Sequence, residues 1–314
     1  MNDCLQVQNL TKDYGKFLLD SVSFNLPSGS IMGFIGENGA GKTTTIKLLL
    51  NQIARNSGTV TVFGKDNLLY EKEIKQQLGV VLDESYFHSS LRPGDIAKIM
   101  RGIFPGWDDV LFQKYLRSMS LPEDKTVKEL SRGMRMKLSI ATALSHRPWL
   151  LILDEATSGL DPVVRSEILD LLLDFIQDES HSVLISSHIT SDLEKVCDYI
   201  TFIHNGRVVT SQSKDAILYN YGLLRCGTGD FGKIDRADIL GYRKNQFGYD
   251  VLVNDKHRAQ SKYRGFVIDG VNLEDLRLDH AQGRPFGLAE IFVVPGAVGH
   301  LSEALTERGW RLHG

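Results

Sequence analysis

Cysteine is scarce in this chain: Cys4, Cys197 and Cys226 are its only three, widely separated and in no Cys-x-x-Cys pair. That spacing favours neither a disulfide framework nor a thiolate metal site, and fits core or surface thiols in a reducing compartment. Long apolar runs are missing too. No stretch approaches the ~20 residues that span a bilayer, and the polar start Met1-Asn2-Asp3 does not read as a signal peptide. Any membrane role therefore requires docking on another subunit. There is no excess of positive charge: 36 Lys and Arg stand against 39 Asp and Glu, a formal net charge of -3. A nucleic-acid partner is not expected on that balance. No internal repeat or heptad array is visible. What remains is an ordinary globular composition, 42% hydrophobic, in 314 residues. It suits one substantial α/β domain with a smaller attachment.

The most informative stretch is Gly36-Glu37-Asn38-Gly39-Ala40-Gly41-Lys42-Thr43-Thr44, which fits the phosphate-binding pattern G-x-x-x-x-G-K-[ST]. Average composition gives roughly 0.01 chance matches in a chain of this length. Ser30 to Ile35 before it reads as a short buried strand, and Thr43 to Leu50 after it as a helix with an apolar face. Gly36, Gly39 and Gly41 let the backbone wrap closely around an anion, and the loop amides and the positive helix end then meet phosphates. Lys42 reaches the β- and γ-phosphates, and the Thr43 hydroxyl holds Mg²⁺. The expected ligand is a nucleoside triphosphate.

Around this core, Leu5 to Leu10, Phe17 to Leu26 and Thr59 to Gly64 read as an antiparallel layer. Leu78 to Leu82, Leu150 to Leu153 and Val183 to Ile185 are continuous apolar runs, as buried parallel strands are. From about Pro93 to His146 the pattern is helical, broken near Pro105-Gly106 and Pro122, a subdomain inserted between two core strands. After about Tyr221 the composition changes. Strands over Gln246 to Asn254 and Gly265 to Asp269, with a helix starting at Asn272, predict a small α+β appendage. From about His280 the chain is Gly-, Arg- and Ala-rich without a firm period. The expected division is 1–222 for the nucleotide domain (helical subdomain about 86–146), 223–279 for the appendage and 280–314 for a tail.

Two carboxylates end the apolar strand Leu150-Leu151-Ile152-Leu153-Asp154-Glu155, at the sheet edge where α/β ligands bind. Asp154 is suited to holding Mg²⁺ through water, and Glu155 to positioning or deprotonating an attacking water. Leu130-Ser131-Arg132-Gly133-Met134 opens a helical run before them. With these pieces the chain resembles the ATP-binding subunit of an ABC transporter, whose signature is usually Leu-Ser-Gly-Gly-Gln.

The resemblance spans about residues 4 to 220 and implies a P-loop ATPase core with an antiparallel layer and a helical subdomain. It implies that Ser131 and Gly133 contact the γ-phosphate of ATP held by the opposite subunit. Asp161, in Ser158-Gly159-Leu160-Asp161, falls in the loop that communicates between paired subunits, and His188 contacts the γ-phosphate while holding the water and Glu155. Tyr14 takes the place of the adenine-stacking aromatic. Three positions depart from the family pattern: Arg132 for glycine, Met134 for glutamine, and Asp83 where a glutamine usually touches Mg²⁺. Asp83 remains a hard oxygen ligand, so the expected metal ligands are Thr43, Asp83 and Asp154. By the same resemblance the active form is a homodimer, or a heterodimer with a related subunit, clamped head to tail by ATP. It works at the cytoplasmic face of the membrane and powers a separate transmembrane permease, contacted near Asp83 to Leu91. The subfamily resembled is bacterial export of drugs, antibiotics or lipids. The rival reading is a soluble ABC ATPase acting on ribosomes or nucleic acid.

Overall fold

The structure, a computed structural model, describes residues 3–83, 87–253 and 255–275. The chain divides into two compact units, Met1–Lys214 and Asp215–Gly314, a little before the 222/223 boundary expected.

The first unit opens with β1 (Asp3–Asp13), β2 (Leu18–Pro27), β3 (Ile31–Ile35), α1 (Lys42–Leu49), β4 (Ser57–Val62) and the short β5 (Lys65–Asp66). Next come α2 (Glu71–Gln76), β6 (Leu78–Val81), α3 (Pro93–Ile103), α4 (Asp109–Ser118), α5 (Arg132–Leu144) and β7 (Leu150–Asp154). Then follow α6 (Pro162–Phe175), β8 (Ser182–Ser187), α7 (Thr190–Val196), β9 (Tyr199–His204) and β10 (Arg207–Ser213).

β2, β1, β4 and β5 form one antiparallel sheet. The alternating residues of β1 and β2 put Leu5, Val7, Leu10, Val22, Phe24 and Leu26 on its buried face. The second sheet has the order β10-β9-β3-β8-β7-β6, parallel except for β10. β3, β7 and β8 are buried at every position, which is why they read as unbroken apolar runs. The two sheets share one core, and the rings of Phe24 and Phe34 meet across it at 5.2 Å. Register aligns the strand ends: Ile35 lies opposite Ser187 and Phe202, and Asp154 opposite Ser186. The residues that follow β3, β7 and β8 therefore emerge side by side.

α3, α4 and α5 enclose a second core built on Ile96, Phe112, Leu116 and Leu138. Burying each of these side chains stabilises the subdomain by roughly 2 kcal/mol. α3 stops before Pro105, as a residue preceding proline disfavours helix. Asp108 starts α4 by accepting the Leu111 N–H at 2.9 Å. His146, at the exit of α5, ties this subdomain to the sheet. Its Nε2 donates to the Leu78 carbonyl at 3.0 Å and its ring stacks on Phe104 at 4.0 Å.

The second unit continues through α8 (Lys214–Asn220), β11 (Gly222–Cys226), β12 (Ile239–Lys244), β13 (Tyr249–Val253), α9 (Lys256–Lys262) and β14 (Val267–Gly270). Its sheet is antiparallel in the order β12-β13-β11-β14. β13 and β14 are the strands expected, whereas β11, β12 and α9 were not. Arg, Tyr and Gly interrupt the alternation of β11 and β12, and pairing with β13, and for β11 also with β14, makes them strands. Asn272 and Asp275 exchange the reciprocal hydrogen bonds of a capped first turn, and residues 276–314, including the tail from His280, lie outside the described ones.

All three cysteines are free and buried, and burial pushes the Cys4 thiol up to about 11, so it stays protonated. Among the described residues no helix is long and apolar enough to cross a membrane.

Burial also holds His146 below its ordinary value near 6.5. Its contribution to stability is therefore complete above pH 6.5 and is lost as pH falls from there through the lowered folded-state value, because over that range the unfolded chain binds the proton more readily. Urea unfolding at pH 7.5 and pH 5.5 should show a smaller acid loss for His146→Gln than for the wild type. An equal loss in both would refute the assignment.

Candidate functional site

The glycine loop joins β3 to α1, and its conformation is one that only its glycines allow. Gly39 and Gly41 have φ of 83° and 114°, and a Cβ on Gly36 would lie 2.5 Å from the Ile203 carbonyl. A Cβ on Gly41 would lie 2.8 Å from Leu19 and 3.2 Å from the Phe17 ring, so the turn between β1 and β2 packs onto the loop. Ala40 is held from the other side, its carbonyl accepting the Gly206 N–H.

Lys42 begins α1 and is only 5% exposed. Its ammonium donates to the carbonyls of Gly36 and Glu37 at 2.6 and 3.1 Å and pairs with Glu155 Oε1 at 3.0 Å. A buried ammonium without such partners is costly, so these oxygens are what keep it in place. The other Glu155 oxygen lies 2.7 Å from His188 Nδ1, which makes that nitrogen the donor. Lys42, Glu155 and His188, contributed after three different strands, thus form one continuous polar chain.

Glu155 has a φ of 53°, unusual for a side-chain-bearing residue. Its N–H donates to both the carbonyl and the hydroxyl of Ser186, at 3.2 and 3.0 Å, and this anchors the bend. The same Ser186 hydroxyl donates to Asp154 Oδ1 at 2.6 Å. Ser186 thus orients the Asp154 carboxylate and anchors the Glu155 backbone, a role that sequence reading missed. Its signal in the sequence is the Ser-Ser-His strand end. His204, 3.7 Å from the Glu37 carboxylate, is another neighbour that sequence reading passed over.

The donor set suits a hard cation beside a triphosphate. Asp154 is buried with one oxygen taken by Ser186, and Thr43 is exposed at the start of α1. Thr44 follows on the first turn of α1, while Thr45 turns its hydroxyl back onto the Gly41 carbonyl. Asn38 is exposed on the loop. Asp83, expected with the metal ligands, accepts a hydrogen bond from Arg132 at 2.9 Å through one of its oxygens.

The residues expected to serve an opposite subunit stand on other elements. Ser131 caps α5, its hydroxyl oxygen accepting the Met134 N–H at 3.2 Å, which leaves its proton available. Gly133 lies in the first turn of α5, where a Cβ would meet Val164 of α6 at 3.3 Å. Asp161 caps α6 through the N–H groups of Val163 and Val164, with Pro162 next, so its carboxylate has a structural task here. Tyr14 is 51% exposed, with the Lys12 ammonium 5.3 Å from its ring centre. Of the expected permease contact over 83–91, residues 84–86 lie outside the described ones.

Comparison with known proteins agrees with this geometry. A family model described as ABC transporter matches residues 19–158. Bacitracin transport ATP-binding protein BcrA of Bacillus licheniformis is 35% identical over 212 residues, covering 67% of this chain and 69% of that protein. Lantibiotic transport ATP-binding protein SrtF of Streptococcus pyogenes is 33% identical over 214 residues, covering 67% of this chain and 91% of its own. Among solved structures, an ATP-binding subunit of an ABC transporter matches with a TM-score of 0.62 at 25% identity, over 68% of this chain and 91% of that one. In fold alone, cbiO1 of Clostridium perfringens, part of the cbiONQ complex, matches with a TM-score of 0.60 at 23% identity, over 68% and 90%.

Ser186→Ala removes the donor to Asp154 and one acceptor for the Glu155 N–H. Loss of such buried hydrogen bonds, about 1–3 kcal/mol, should lower kcat for ATP hydrolysis roughly ten- to hundred-fold. An unchanged kcat in steady-state assays would show that Ser186 does not orient the pair.

Proposed function

The chain belongs to the ABC transporter family as an ATP-binding subunit and ATPase, and from that premise we propose that two copies, or this chain and a related one, close head to tail on ATP to drive a separate transmembrane permease. The observation that carries this reading is the Lys42–Glu155 salt bridge at the junction of three strand ends. It is a cation and a general base already joined, awaiting an anion that separates them.

Within the chain itself Glu155 satisfies Lys42. A triphosphate entering the glycine loop accepts hydrogen bonds from the loop amides and takes over the Lys42 ammonium, which frees Glu155 Oε1 for water. His188, bonded to the other oxygen, keeps the carboxylate oriented. Water attacks the γ-phosphorus as Glu155 receives its proton, the bond to the β-phosphate oxygen breaks, and ADP and phosphate result. Mg²⁺, when bound, spreads the phosphate charge, and Thr43 and Asp154 are the residues that would hold it. Tyr14, exposed beside the loop, offers its ring to the adenine.

Lys42 and Ser131 belong to the core and to the helical subdomain respectively, a separation that supports a site completed by a second copy. Each triphosphate then touches Lys42 of one copy and Ser131 and Gly133 of the other, with Asp161 at the seam. Hydrolysis removes the bridge and the pair opens. The helical subdomain carries that motion to the permease. Relatives named for bacitracin and lantibiotic transport support export of an antibiotic-like compound within the wider class of drugs, antibiotics and lipids.

Glu155→Gln removes the base together with the charge that competes for Lys42. Turnover should fall at least ~100-fold, and Mg-ATP should trap a dimer, read by light scattering of the purified chain. A mutant that hydrolyses ATP normally, or stays monomeric at saturating ATP, would sink the two-site clamp.

A further inference from the structure

Two of the positions at which this chain departs from the family pattern touch each other. Arg132, where the signature usually has glycine, donates from Nη2 to Asp83 Oδ1 at 2.9 Å. Asp83 follows β6 in the core and Arg132 opens α5 in the helical subdomain, 49 residues away, so the bond spans the two parts of the first unit. An arginine in the first turn of a helix stands at its positive end, where a cation is disfavoured, and α5 has no acidic residue in that turn. Arg132 therefore needs an anion from elsewhere, and in the single chain Asp83 supplies it.

The pair is built to be exchanged. Its side chains are 50% and 53% exposed and joined by one hydrogen bond, so it stabilises the chain by at most about 1 kcal/mol. It lies on the wall of an open cleft of about 580 Å³ that is also lined by Lys128 and Arg135. The guanidinium is nevertheless well located. Gly159, with a φ of 67°, lies so close that a Cβ there would be 2.6 Å from Arg132 Nη1. The fork thus lies against the loop that leads to Asp161, and Arg132 stands in the chain between Ser131 and Gly133, groups assigned above to the second copy's nucleotide. A terminal phosphate carries more charge than one exposed carboxylate and accepts two parallel N–H bonds.

Resting on the head-to-tail reading, we propose that Arg132 is a substrate-binding residue in trans. It is held by Asp83 in the free chain and transferred to the γ-phosphate of the nucleotide in the other copy on closure. Asp83 is then a competitor whose grip on Arg132 sets the ATP concentration at which two chains close. The two departures are one device, and an Arg side chain takes up the anion contact that the usual glycine leaves to the backbone.

The experiment uses the full chain carrying Glu155→Gln and follows dimer formation by light scattering as Mg-ATP is titrated. Asp83→Ala should lower the half-saturating ATP concentration, by about two- to five-fold, since it removes the carboxylate that competes for Arg132. Arg132→Ala should raise it, by roughly ten-fold or more, and Arg132→Lys should recover part of that loss. Opposite signs for the two positions establish the exchange. Equal shifts of one sign, with the swap Asp83→Arg/Arg132→Asp restoring the parent value, would identify a merely structural bridge and overturn the proposal. Thermal unfolding of each variant separates misfolding from a binding effect. If the Glu155→Gln parent itself stays monomeric, the head-to-tail reading fails and takes the proposal with it. Dimerisation of the parent with no response to Arg132→Ala defeats the proposal alone.

Discussion

A positive charge buried at the start of α1 constrains everything near it. The Lys42 ammonium is nearly inaccessible to water, and a charge so placed persists only where oxygens surround it. Two loop carbonyls and the Glu155 carboxylate provide them. The loop must curl through left-handed glycines to turn its carbonyls onto the ammonium, and β3, β7 and β8 must lie adjacent for the carboxylate to arrive. The same requirement explains why the site is polar throughout: charges suited to a triphosphate also neutralise one another.

Ser186 converts that electrostatic demand into geometry. A left-handed glutamate is strained, and the two bonds its N–H makes to Ser186 compensate for the strain. Because the Ser186 hydroxyl also donates to Asp154, one side chain ties the Asp154 carboxylate to the backbone bend of Glu155. Asp154 is left as an acceptor suited to a cation, and Glu155 as a base held between lysine and histidine. Two adjacent acidic residues thereby acquire different tasks from their surroundings alone.

The helical subdomain contributes a different kind of chemistry. Ser131 and Asp161 both serve as helix caps, so groups expected at a subunit seam also determine where α5 and α6 begin. Capping uses the Ser131 oxygen and spares its proton, so structural and ligand-directed roles coexist in one hydroxyl. Arg132 beside it adds a cation that the helix end does not welcome, and the distant Asp83 answers it.

The phosphate loop, strands β1 to β4 and β6 to β8, and the helical insertion were legible in the sequence, whereas β9 and β10, which complete the core sheet, were not expected. Each legible element depends on residues within a few positions of one another: glycine spacing, alternation or apolar runs. Two strands and a helix of the second unit were not legible, since their mixed residues become strands only through their partners. Nor were the contacts of Lys42 with Glu155, of Ser186 with the Asp154 carboxylate and the Glu155 N–H, and of Arg132 with Asp83. Those pairs are brought together by a sheet order, β3-β8-β7-β6, that is not the order of the chain, and by packing of α5 against the core. Local chemistry determined which ligand this protein is made for. Long-range register decided which charges hold one another until that ligand arrives.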